Sequence, residues 1–453
     1  DLLMTHIDLT TTPRASRAFP LLVPGIAQAL IALDYAIVYV ALPTLAQDLA
    51  LSPGEMQWVV SLYGLIFAGL LLLGGSLCDR LGARRIFILG MGLFLFSSVI
   101  GGLAHSAVLL LIARGGQGSA AALMQPAILA LMAQHFQGEA HRRALAIWSA
   151  TGALGLVAGV MLGGLLAELS WRAIFFINLP PGLLALWRVR RDFPLLRTER
   201  EKPRAGLGAL AGCASAGAIV WALMRYAETG QPDFLANRLA LGMLLLFIAH
   251  ERFAARPLLS EQLRTLPGLQ SGWISSACYM ASVGSQFYAM TLLWQQTFGL
   301  GAVVTGLLFT PLALLIVAGN GLYTRLSARF SSAGVLTVGF GAAALGLWLL
   351  STTLNLPFSI AFMLGIALSG LGHGLIYPAM FAIGLTATPV MLQGRASALM
   401  VTSQYAAGAM MLAIITVLLG AHPSLEAWRN VFQWLTGASL VGMCVAFCAR
   451  PSS

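Results

Sequence analysis

Charged side chains are scarce in this chain: only 9% of its 453 residues are lysine, arginine, aspartate or glutamate, whereas 58% are hydrophobic. An average soluble domain is about one quarter charged and about half apolar. One soluble core could not hide this much apolar surface behind so little charge. The composition therefore excludes an ordinary soluble protein and predicts an integral membrane protein.

Signatures of nucleotide, metal and hydrolytic chemistry are also missing from the sequence. There is no G-x-x-x-x-G-K-[ST] phosphate loop, which argues against an ATP-driven pump. The five cysteines lie in or beside apolar runs without metal-ligand spacing, and no residues form a credible hydrolytic triad. We therefore expect no enzymatic activity and no bound metal or cofactor.

Apolar runs long enough to cross a bilayer, roughly 20 residues each, recur along the whole chain. Their boundaries are marked by charges, prolines and glycine clusters. This division predicts fourteen spans, at 21–45, 57–78, 86–104, 107–133, 143–166, 172–189, 206–224, 237–253, 269–293, 303–323, 333–352, 357–385, 396–420 and 430–449.

Basic residues are distributed unevenly between the loops that these spans define. If the N-terminus is cytoplasmic, 21 of the 26 lysines and arginines lie in cytoplasmic segments and four lie in outer loops. This asymmetry follows the positive-inside rule. It predicts a multi-pass protein of the cytoplasmic membrane with both termini in the cytoplasm. It also accounts for the formal charge of +10 without a nucleic-acid partner.

Two stretches of the chain resemble each other closely enough to indicate an internal repeat. "LMQPAILALMAQHFQGEAHRRALA" aligns with "LIYPAMFAIGLTATPVMLQGRASALM", so that Pro126 matches Pro378 and Arg143 matches Arg395, both at an offset of 252 residues. The repeat relates spans 1–6 to spans 9–14 in the same orientation. Two parallel halves predict an alternating-access transporter with its site at their interface.

The repeat also predicts the domain organisation of the chain. We expect a cytoplasmic tail over residues 1–20 and a six-helix bundle over 21–190. A cytoplasmic linker, two inserted helices and a following loop then occupy 191–268. A second six-helix bundle with a short cytoplasmic tail completes the chain over 269–453.

Only one acidic and one basic side chain lie deep inside the predicted spans, Asp34 and Arg114. A charged carboxylate is costly in a membrane, so Asp34 suggests a proton-coupling group that also attracts a cationic substrate. The alternative is a permanently neutral or salt-bridged structural aspartate. Arg114 keeps its charge and would tune a carboxylate, or it would only bond carbonyl groups of span 1. Gln117 follows three residues later on the same helical face and should join this polar site.

Five short segments resemble, in order, signature motifs of the major facilitator superfamily, of the fourteen-span drug:proton antiporter type. They are "LDYAIVYVALP" (33–43), "GSLCDRLGARR" (75–85), "LLIARGGQGSAAALMQPA" (110–127), "GLVAGVMLGG" (155–164) and "SWRAIFFINLPPG" (170–182). The resemblance implies an all-α fold of two six-helix bundles related by a parallel repeat, with two extra central helices. It also ties the arginine of span 4, here Arg114, to proton transfer.

The segment between spans 2 and 3 resembles the superfamily's conformational latch, which holds the two halves together on the cytoplasmic side. Its glycines should allow close approach and a tight turn, and Asp79 could face the positive end of a neighbouring helix. The alternative is that its arginines only anchor the membrane topology. The latch residues would be Gly75, Asp79, Arg80, Gly82 and Arg84.

Span 5 carries a row of glycines that resembles the antiporter motif. Gly155, Gly159, Gly163 and Gly164 should form a ridge of small residues for close helix packing. Val160 stands where the motif usually has proline, so the kink that proline would give is not expected from the sequence.

Spans 9–14 contain no aspartate, glutamate or lysine, so polar contacts with a substrate there depend on uncharged groups and histidine. Together with Asp34 and Gln117, the candidates for the substrate cavity are Tyr288, His373, Tyr377 and Gln404. His373 could be a second proton site because histidine titrates near neutrality. The alternative is a hydrogen-bonded core histidine.

These patterns favour proton-coupled efflux of lipophilic cationic or neutral small molecules by alternating access. With one deep acid, neutral compounds and monovalent cations should be preferred to dications. The alternatives are an exporter dedicated to one metabolite or lipid, and a membrane sensor or scaffold without transport. The expected partners are a small-molecule substrate and the lipid bilayer, with protons as the coupling ion and a monomer as the working unit.

Overall fold

A computed structural model describes residues 21–136, 138–193, 207–254, 257, 261–266, 268–385, 388–420 and 423–449. The predicted tail over 1–20 lies outside the described residues, as does the linker segment 194–206. The helices are α1 Leu22–Asp48, α2 Pro53–Leu81, α3 Ala83–Gly102, α4 Ala107–His135, α5 Gly138–Ser170, α6 Ala173–Phe176, α7 Leu179–Asp192, α8 Leu207–Thr229, α9 Phe234–Phe253, α10 Glu261–Arg264, α11 Leu269–Leu292, α12 Ala302–Leu326, α13 Ser332–Thr352, α14 Ile360–Leu385, α15 Val390–Leu419 and α16 Leu425–Cys448.

Twelve helices in the described part of the chain are long and apolar enough to cross a membrane. They are α1 to α5, α8, α9 and α12 to α16. The prediction of an all-helical membrane protein is therefore confirmed, but the predicted number of fourteen spans is not supported. The two differences concern the segments 172–189 and 269–293.

The predicted span 172–189 is broken into the four-residue helix α6 and the 14-residue helix α7. The break falls at Ile177 and Asn178, immediately before "LPP". Two consecutive prolines cannot donate backbone hydrogen bonds within a helix, but they are well tolerated in its first turn. Here they start α7, and neither piece is long enough to span a bilayer alone.

The predicted span 269–293 does form a helix, α11, of 24 residues. Its sequence is too polar to qualify as an apolar span, because it carries several serines and Gln286. Ser275, Ser282 and Ser285 are fully buried, as is Gln286, so these polar groups face protein rather than lipid. One π-helical turn, Leu293–Thr297, extends the helix.

The same order of helix packing occurs twice in the molecule. In the first half α1 packs on α5, and α2 and α3 pack on α4. In the second half α11 packs on α15, and α12 and α13 pack on α14. This recurrence is what a parallel repeat of helices produces. The inserted helices α8 and α9 pack on each other, and α8 also contacts α2 and α15.

Glycines of α5 bring two helices close, as the row of glycines predicted. A Cβ added at Gly155 would lie 2.5 Å from the Ala29 carbonyl oxygen, and one at Gly163 would lie 2.9 Å from that of Ile37. Gly155, Gly159 and Gly163 thus face α1. Gly164 faces α12 in the other half, and α5 runs without interruption through Val160.

Side-chain caps at the loops define several helix starts. Ser52 accepts a hydrogen bond from the Glu55 backbone N–H at 3.2 Å, and its own N–H donates to the Glu55 carboxylate at 2.8 Å. This capping box begins α2. Asp233 caps α9 in the loop after α8, where the backbone N–H of Ala236 and the guanidinium of Arg225 lower the pKa of its carboxyl group.

Candidate functional site

A buried ion pair joins α1 to α4. An oxygen of the Asp34 carboxylate lies 2.7 Å from Nη1 of Arg114, and the two side chains are 0% and 1% exposed. Arg114 lies in the first third of α4 and meets Asp34 at the middle of α1. The only deep acid and the only deep base that the sequence offers are therefore brought together.

Gln117 completes the contact between the two charges. Its Nε2 donates to the second oxygen of Asp34 at 2.7 Å and to the Ser98 hydroxyl at 3.1 Å. Its Oε1 accepts a hydrogen bond from Arg114 at 2.8 Å. The spacing of three residues along α4 places the two side chains on one helical face. The prediction that Gln117 joins this polar site is confirmed.

Asn178 is a member of the site that the sequence reasoning did not single out. Its Nδ2 donates to Asp34 at 3.0 Å and to the Ser98 hydroxyl at 3.3 Å. It occupies the break between α6 and α7 and is fully buried. The available signal was an amide placed directly before "LPP" in an apolar run. An interrupted helix inside a membrane is a frequent location for functional polar groups.

Arg114 also contacts α2. Its Nε donates to the Val59 carbonyl oxygen at 3.0 Å, and its guanidinium carbon lies 4.6 Å from the centre of the Tyr63 ring. The sequence suggested carbonyl groups of span 1 as alternative partners, but the observed carbonyl belongs to the second span. The guanidinium thus links α1, α2 and α4.

The carboxylate of Asp34 is saturated in this conformation. It receives hydrogen bonds from Arg114, Gln117 and Asn178, and no part of it is exposed. A buried charge needs this compensation because desolvation costs several kcal/mol per ion. Asp34 is therefore not presented to a ligand here.

The second half contains a neutral counterpart of this site. At the offset of 252 residues, Asp34 corresponds to Gln286 and Gln117 corresponds to Ser369. Nε2 of Gln286 donates to the Ser369 hydroxyl at 2.9 Å, which repeats the bond between α1 and α4 as a bond between α11 and α14. The counterpart of Arg114 is Ile366. The helix junction is retained while its charges are absent.

A small cavity of about 20 Å³ lies between the two halves, beside the ion pair. None of its lining side chains is charged. The hydroxyl groups of Tyr35 and Tyr39 are 2.9 Å apart, and that of Tyr35 lies 3.7 Å from the Met280 sulfur. The lining consists of Tyr35, Tyr39, Val60, Ser61, Gly64, Met280, Gly284, Tyr405, Gly408, Ala409 and Leu412.

The six residues that the sequence proposed for a substrate cavity do not line this one. Asp34 and Gln117 lie in the buried polar site, and Tyr288 is buried. Gln404 contacts Met280, with its Nε2 4.0 Å from the Met280 sulfur. The six side chains therefore lie away from this cavity, because spacing alone does not tell which face of each helix points to the other half.

His373 and Tyr377 form a separate aromatic group with Tyr279. The ring of Tyr279 lies 6.1 Å from that of His373 and 5.4 Å from that of Tyr377. Both ring nitrogens of His373 are buried without a hydrogen-bond partner among the described residues. Tyr377 is 42% exposed. His373 is therefore buried in the helix core without a hydrogen bond to the described residues.

Tyr63 separates the ion pair from the cavity. One side of its ring contacts the Arg114 guanidinium, and its centroid lies 6.3 Å from that of Tyr35. Because Tyr35 follows Asp34 in the chain, one turn of α1 faces both the ion pair and the cavity. Only the ring of Tyr63 therefore separates the ion pair from the cavity.

The loop between α2 and α3 contains the tight turn that was predicted. Gly82 ends α2 and begins α3 with φ of 92°, a conformation that favours glycine. Asp79 and Arg80 are exposed in the last turn of α2. Arg84 donates to the backbone carbonyl of Arg190 at 2.8 Å, within the same half of the molecule.

Close helix approach near this loop involves a different glycine from the one predicted. A Cβ at Gly75 would meet only the Pro126 side chain, at 4.0 Å. A Cβ at Gly74 would collide with the Ala122 carbonyl group. The close approach to α4 is therefore made by Gly74, because the contact face of α2 is set by its packing on α4.

Metal-ligating side chains do not cluster in the described parts of the chain.

Comparison with known proteins shows where similar sequences and folds occur. The sequence model of the Major Facilitator Superfamily matches residues 25–412 and 272–452. A cephamycin export protein of Amycolatopsis lactamdurans is 34% identical over 410 residues, covering 87% of this chain and 83% of its own. A puromycin resistance protein of Streptomyces alboniger is 35% identical over 437 residues, covering 90% and 83%. A crystal structure of a peptide transporter in complex with sulfate shares the fold, with a TM-score of 0.71 at 15% identity over 95% of this chain and 93% of that one.

Proposed function

The chain belongs to the Major Facilitator Superfamily, and on that premise we propose that it exports lipophilic small molecules across the cytoplasmic membrane in exchange for protons. It is a multi-pass membrane protein of a family of transporters, and similar proteins are named for antibiotic export or resistance. Both bundles belong to one chain, which supports a monomer as the working unit. Protons serve as the coupling ion, and no other cofactor is required.

The buried pair of Asp34 and Arg114 is the observation that supports proton coupling. Apolar side chains would make a purely structural contact here equally well, because replacing a buried ion pair with them is often neutral or stabilising. Protonation of Asp34 would leave the Arg114 charge with Gln117 and the Val59 carbonyl alone. The junction of α1, α2 and α4 would then favour another arrangement, which is how a proton can shift a conformational equilibrium.

The distribution of buried residues supports an inward-facing conformation. Residues 36–43 of α1 and 284–294 around the end of α11 are all buried, whereas the beginnings of both helices are partly exposed. Nε2 of Gln295 donates to the Val40 carbonyl at 2.8 Å and ties these ends together. With both termini in the cytoplasm, as the arginine distribution indicates, the sealed ends are the outer ones.

We infer that α11 also crosses the membrane although it is polar. Its 24 residues correspond to about 36 Å of helix, which exceeds the roughly 30 Å of hydrocarbon. Its polar groups are buried against protein, so lipid need not solvate them. The broken segment α6–α7 would complete a fourteen-crossing arrangement. Labelling of single cysteines from each side of the membrane tests both assignments.

The cavity between the halves supports neutral compounds and monovalent cations as substrates. Its walls offer tyrosine rings, hydroxyl groups and the Met280 thioether, but no counter-charge for a dication. Tyrosine faces can attract one cationic group, with about 0.5–2 kcal/mol for each such contact. Puromycin, which carries an amine, is a suitable first test compound because one relative is named for resistance to it.

Flux measurements in proteoliposomes test this proposal. Uptake of puromycin and of tetraphenylphosphonium is measured under an imposed pH gradient without ATP, in the wild type and in Asp34→Asn. Asp48→Asn is the matched control, because Asp48 lies on the same helix but is 50% exposed. We expect gradient-driven uptake in the wild type and the control, and none in Asp34→Asn.

Three results would contradict the proposal. Uptake that requires ATP, or undiminished coupling in Asp34→Asn, would show that protons do not act through this residue. Absence of any flux in the wild type across a wide panel would favour a sensor or scaffold. Efficient transport of a dication over its matched monocation would contradict the uncharged cavity as the substrate site.

A further inference from the structure

Asn178 differs from the other two partners of Asp34 in having a buried hydrogen-bond acceptor that is not used. Its Nδ2 is bonded to Asp34 and Ser98, but its Oδ1 is buried and has no hydrogen-bond partner among the described residues. A buried oxygen without a partner costs about 1–3 kcal/mol. A retained cost of this size, directly beside the carboxylate, points to a second state in which the oxygen is used.

Gln117 has no such freedom. Its Nε2 donates to Asp34 and its Oε1 accepts from Arg114, so both ends of the amide are held. Arg114 carries donors only and has no atom that could accept a hydrogen bond from the O–H of a protonated carboxyl group. Among the three partners, only Asn178 has an acceptor to offer to a protonated carboxyl group.

The groups around Asp34 come from every helix that packs on this part of α1. Arg114 and Gln117 come from α4, Tyr63 from α2 and Ser98 from α3. From α5 the approach is made by Gly159, beside the Leu33 carbonyl and Ala36. Arg114 is the charged group and Tyr63 the titratable one. The Tyr63 hydroxyl is buried without a hydrogen-bond partner among the described residues, and no hydrogen bond joins it to Asp34 there, whereas Asn178 already contacts the carboxylate.

The break between α6 and α7 gives the amide its place. Asn178 is the residue before α7, and its carbonyl oxygen accepts a hydrogen bond from the Gly182 N–H at 3.1 Å. The two prolines that follow have no N–H groups that would be left unsatisfied at a buried helix start. The amide of Asn178 is thus aimed at α1 by backbone geometry that does not depend on the carboxylate.

We propose that Asn178 is a positioning residue that holds Asp34 in both of its protonation states. Its Nδ2 donates to the ionised carboxylate, as observed. When Asp34 takes up a proton, the amide turns over and its Oδ1 accepts the new O–H. The proton comes from the aqueous phase and remains on Asp34. The amide gains and loses no atom; its Oδ1, instead of its Nδ2, then faces the carboxyl group. This inference rests on the proposed proton coupling at Asp34.

Two substitutions separate this role from simple packing. Asn178→Leu keeps the size of the side chain but removes donor and acceptor. Asn178→Ser leaves a small void but keeps a hydroxyl group that can donate or accept. A packing role predicts that Leu is the better replacement, whereas the switching role predicts that Ser is. Asn320→Leu and Asn320→Ser are matched controls, because Asn320 in α12 also has a buried oxygen without a partner in the described chain.

The readouts are gradient-driven uptake of tetraphenylphosphonium and the infrared carbonyl band of protonated Asp34, identified by its loss in Asp34→Asn. We expect Asn178→Leu to lower uptake at least about tenfold, Asn178→Ser to retain more of it, and the Asn320 variants to match the wild type. In Asn178→Leu, the band should move to higher frequency because the O–H loses its acceptor. Correct folding is checked by size-exclusion chromatography of each variant.

The outcomes distinguish this inference from the function on which it rests. If Asp34→Asn still couples, the proposed function is wrong. If Asp34→Asn is inactive but Asn178→Leu transports as the wild type does, only the role of Asn178 is wrong. An unchanged carbonyl band in Asn178→Leu, or better transport by Leu than by Ser, would also overturn it.

Discussion

The two halves of the molecule use the same helix junctions for different chemistry. Trp171 donates its indole N–H to Asp48 at 2.8 Å, and Trp428 donates to Thr297 at 2.8 Å, each closing the end of its half. At the central junction, however, the first half has Asp34 where the second has Gln286. The contacts that support the fold are thus kept twice, while the charged pair is present once.

On the proposed mechanism this difference gives the proton-coupling group to the first half alone. Both halves line the uncharged cavity, the first through Tyr35 and the second through Met280 and Tyr405. The proton and the substrate would then act at neighbouring places of the same interface. Tyr63, with Tyr35 beside it, lies between the ion pair and the cavity, so only these side chains separate the two sites. The following predictions test whether the contrast holds.

The largest expected effect comes from making the first half resemble the second at Arg114. Arg114→Ile copies Ile366 and leaves Asp34 buried without its partner. We expect a loss of about 3–5 kcal/mol of stability, because one charge of a buried pair is left uncompensated. Thermal unfolding of the purified protein in detergent measures this loss, and proteoliposome flux should show no coupling.

The double variant Asp34→Gln with Arg114→Ile is the control, since it reproduces the neutral pattern of the second half. It should regain most of the stability but none of the coupling. If Arg114→Ile alone unfolds at the wild-type temperature and couples transport to protons as the wild type does, the charge pair is dispensable. The contrast between the halves would then have no functional meaning.

The next effect concerns how closely the helices pack in each half. Gly159 on α5 corresponds to Met411 on α15 at the same offset. A Cβ at Gly159 would lie 2.7 Å from that of Ala36, so Gly159→Leu should cost on the order of 3 kcal/mol through overpacking. Met411→Leu conserves volume and should cost less than about 1.5 kcal/mol.

Thermal unfolding of the two leucine variants makes this comparison direct, because both positions then carry the same residue. Equal losses in the two halves would mean that α1 and α5 do not depend on their glycine contact.

A smaller effect is expected in the loops that follow α2 and α12. The segment "DRLGARR" (79–85) is matched by "TRLSARF" (324–330) at an offset of 245 residues, so Asp79 corresponds to Thr324. Gly82, with its positive φ, corresponds to Ser327, which is helical with φ of −63°. Asp79→Asn should lower transport roughly two- to fivefold without unfolding the protein, since a charge at a helix end contributes about 0.3–1 kcal/mol. Thr324→Val should have no effect on transport at equal expression.

Transport by Asp79→Asn equal to that of the wild type would leave only the topological role of this loop. A comparable loss in Thr324→Val would show that the two loops act alike despite their different turns.

The sequence predicts the membrane class, most spans and the residues of the ion pair, because charge inside an apolar run is rare and therefore informative. Asp34, Arg114 and Gln117 could be found in this way. It predicts the bounds of α11 but not the polar character of its packing, because burial against protein permits serines that a lipid-facing helix could not carry. Asn178 is missed for a related reason, since an uncharged amide in an apolar run gives little signal until the broken helix aims it at Asp34.

The cavity residues illustrate a second limit. Tyr288, Tyr377 and Gln404 have the right chemistry for a polar cavity, but the helix face that each occupies depends on packing between distant helices. The cavity instead uses Tyr35, beside the recognised Asp34, and Tyr405, beside Gln404. In both cases the neighbouring residue faces the other half, and composition alone could not distinguish the two.

The smallest expected effect is that of replacing His373. This test also challenges the contrast between the halves most directly. His373 is the one histidine of the second half buried in the described helices, and its nitrogens have no partner there. Replacing an unpaired buried polar group with an apolar one of similar size is neutral or stabilising. We therefore expect His373→Leu and the non-titrating His373→Gln to keep gradient-driven flux within about twofold of the wild type and to unfold at no lower temperature. Loss of coupling in both variants, with binding and folding intact, would mean that the second half also exchanges a proton. The neutral pair of Gln286 and Ser369 would then lie beside a second titrating site rather than mark a half without one.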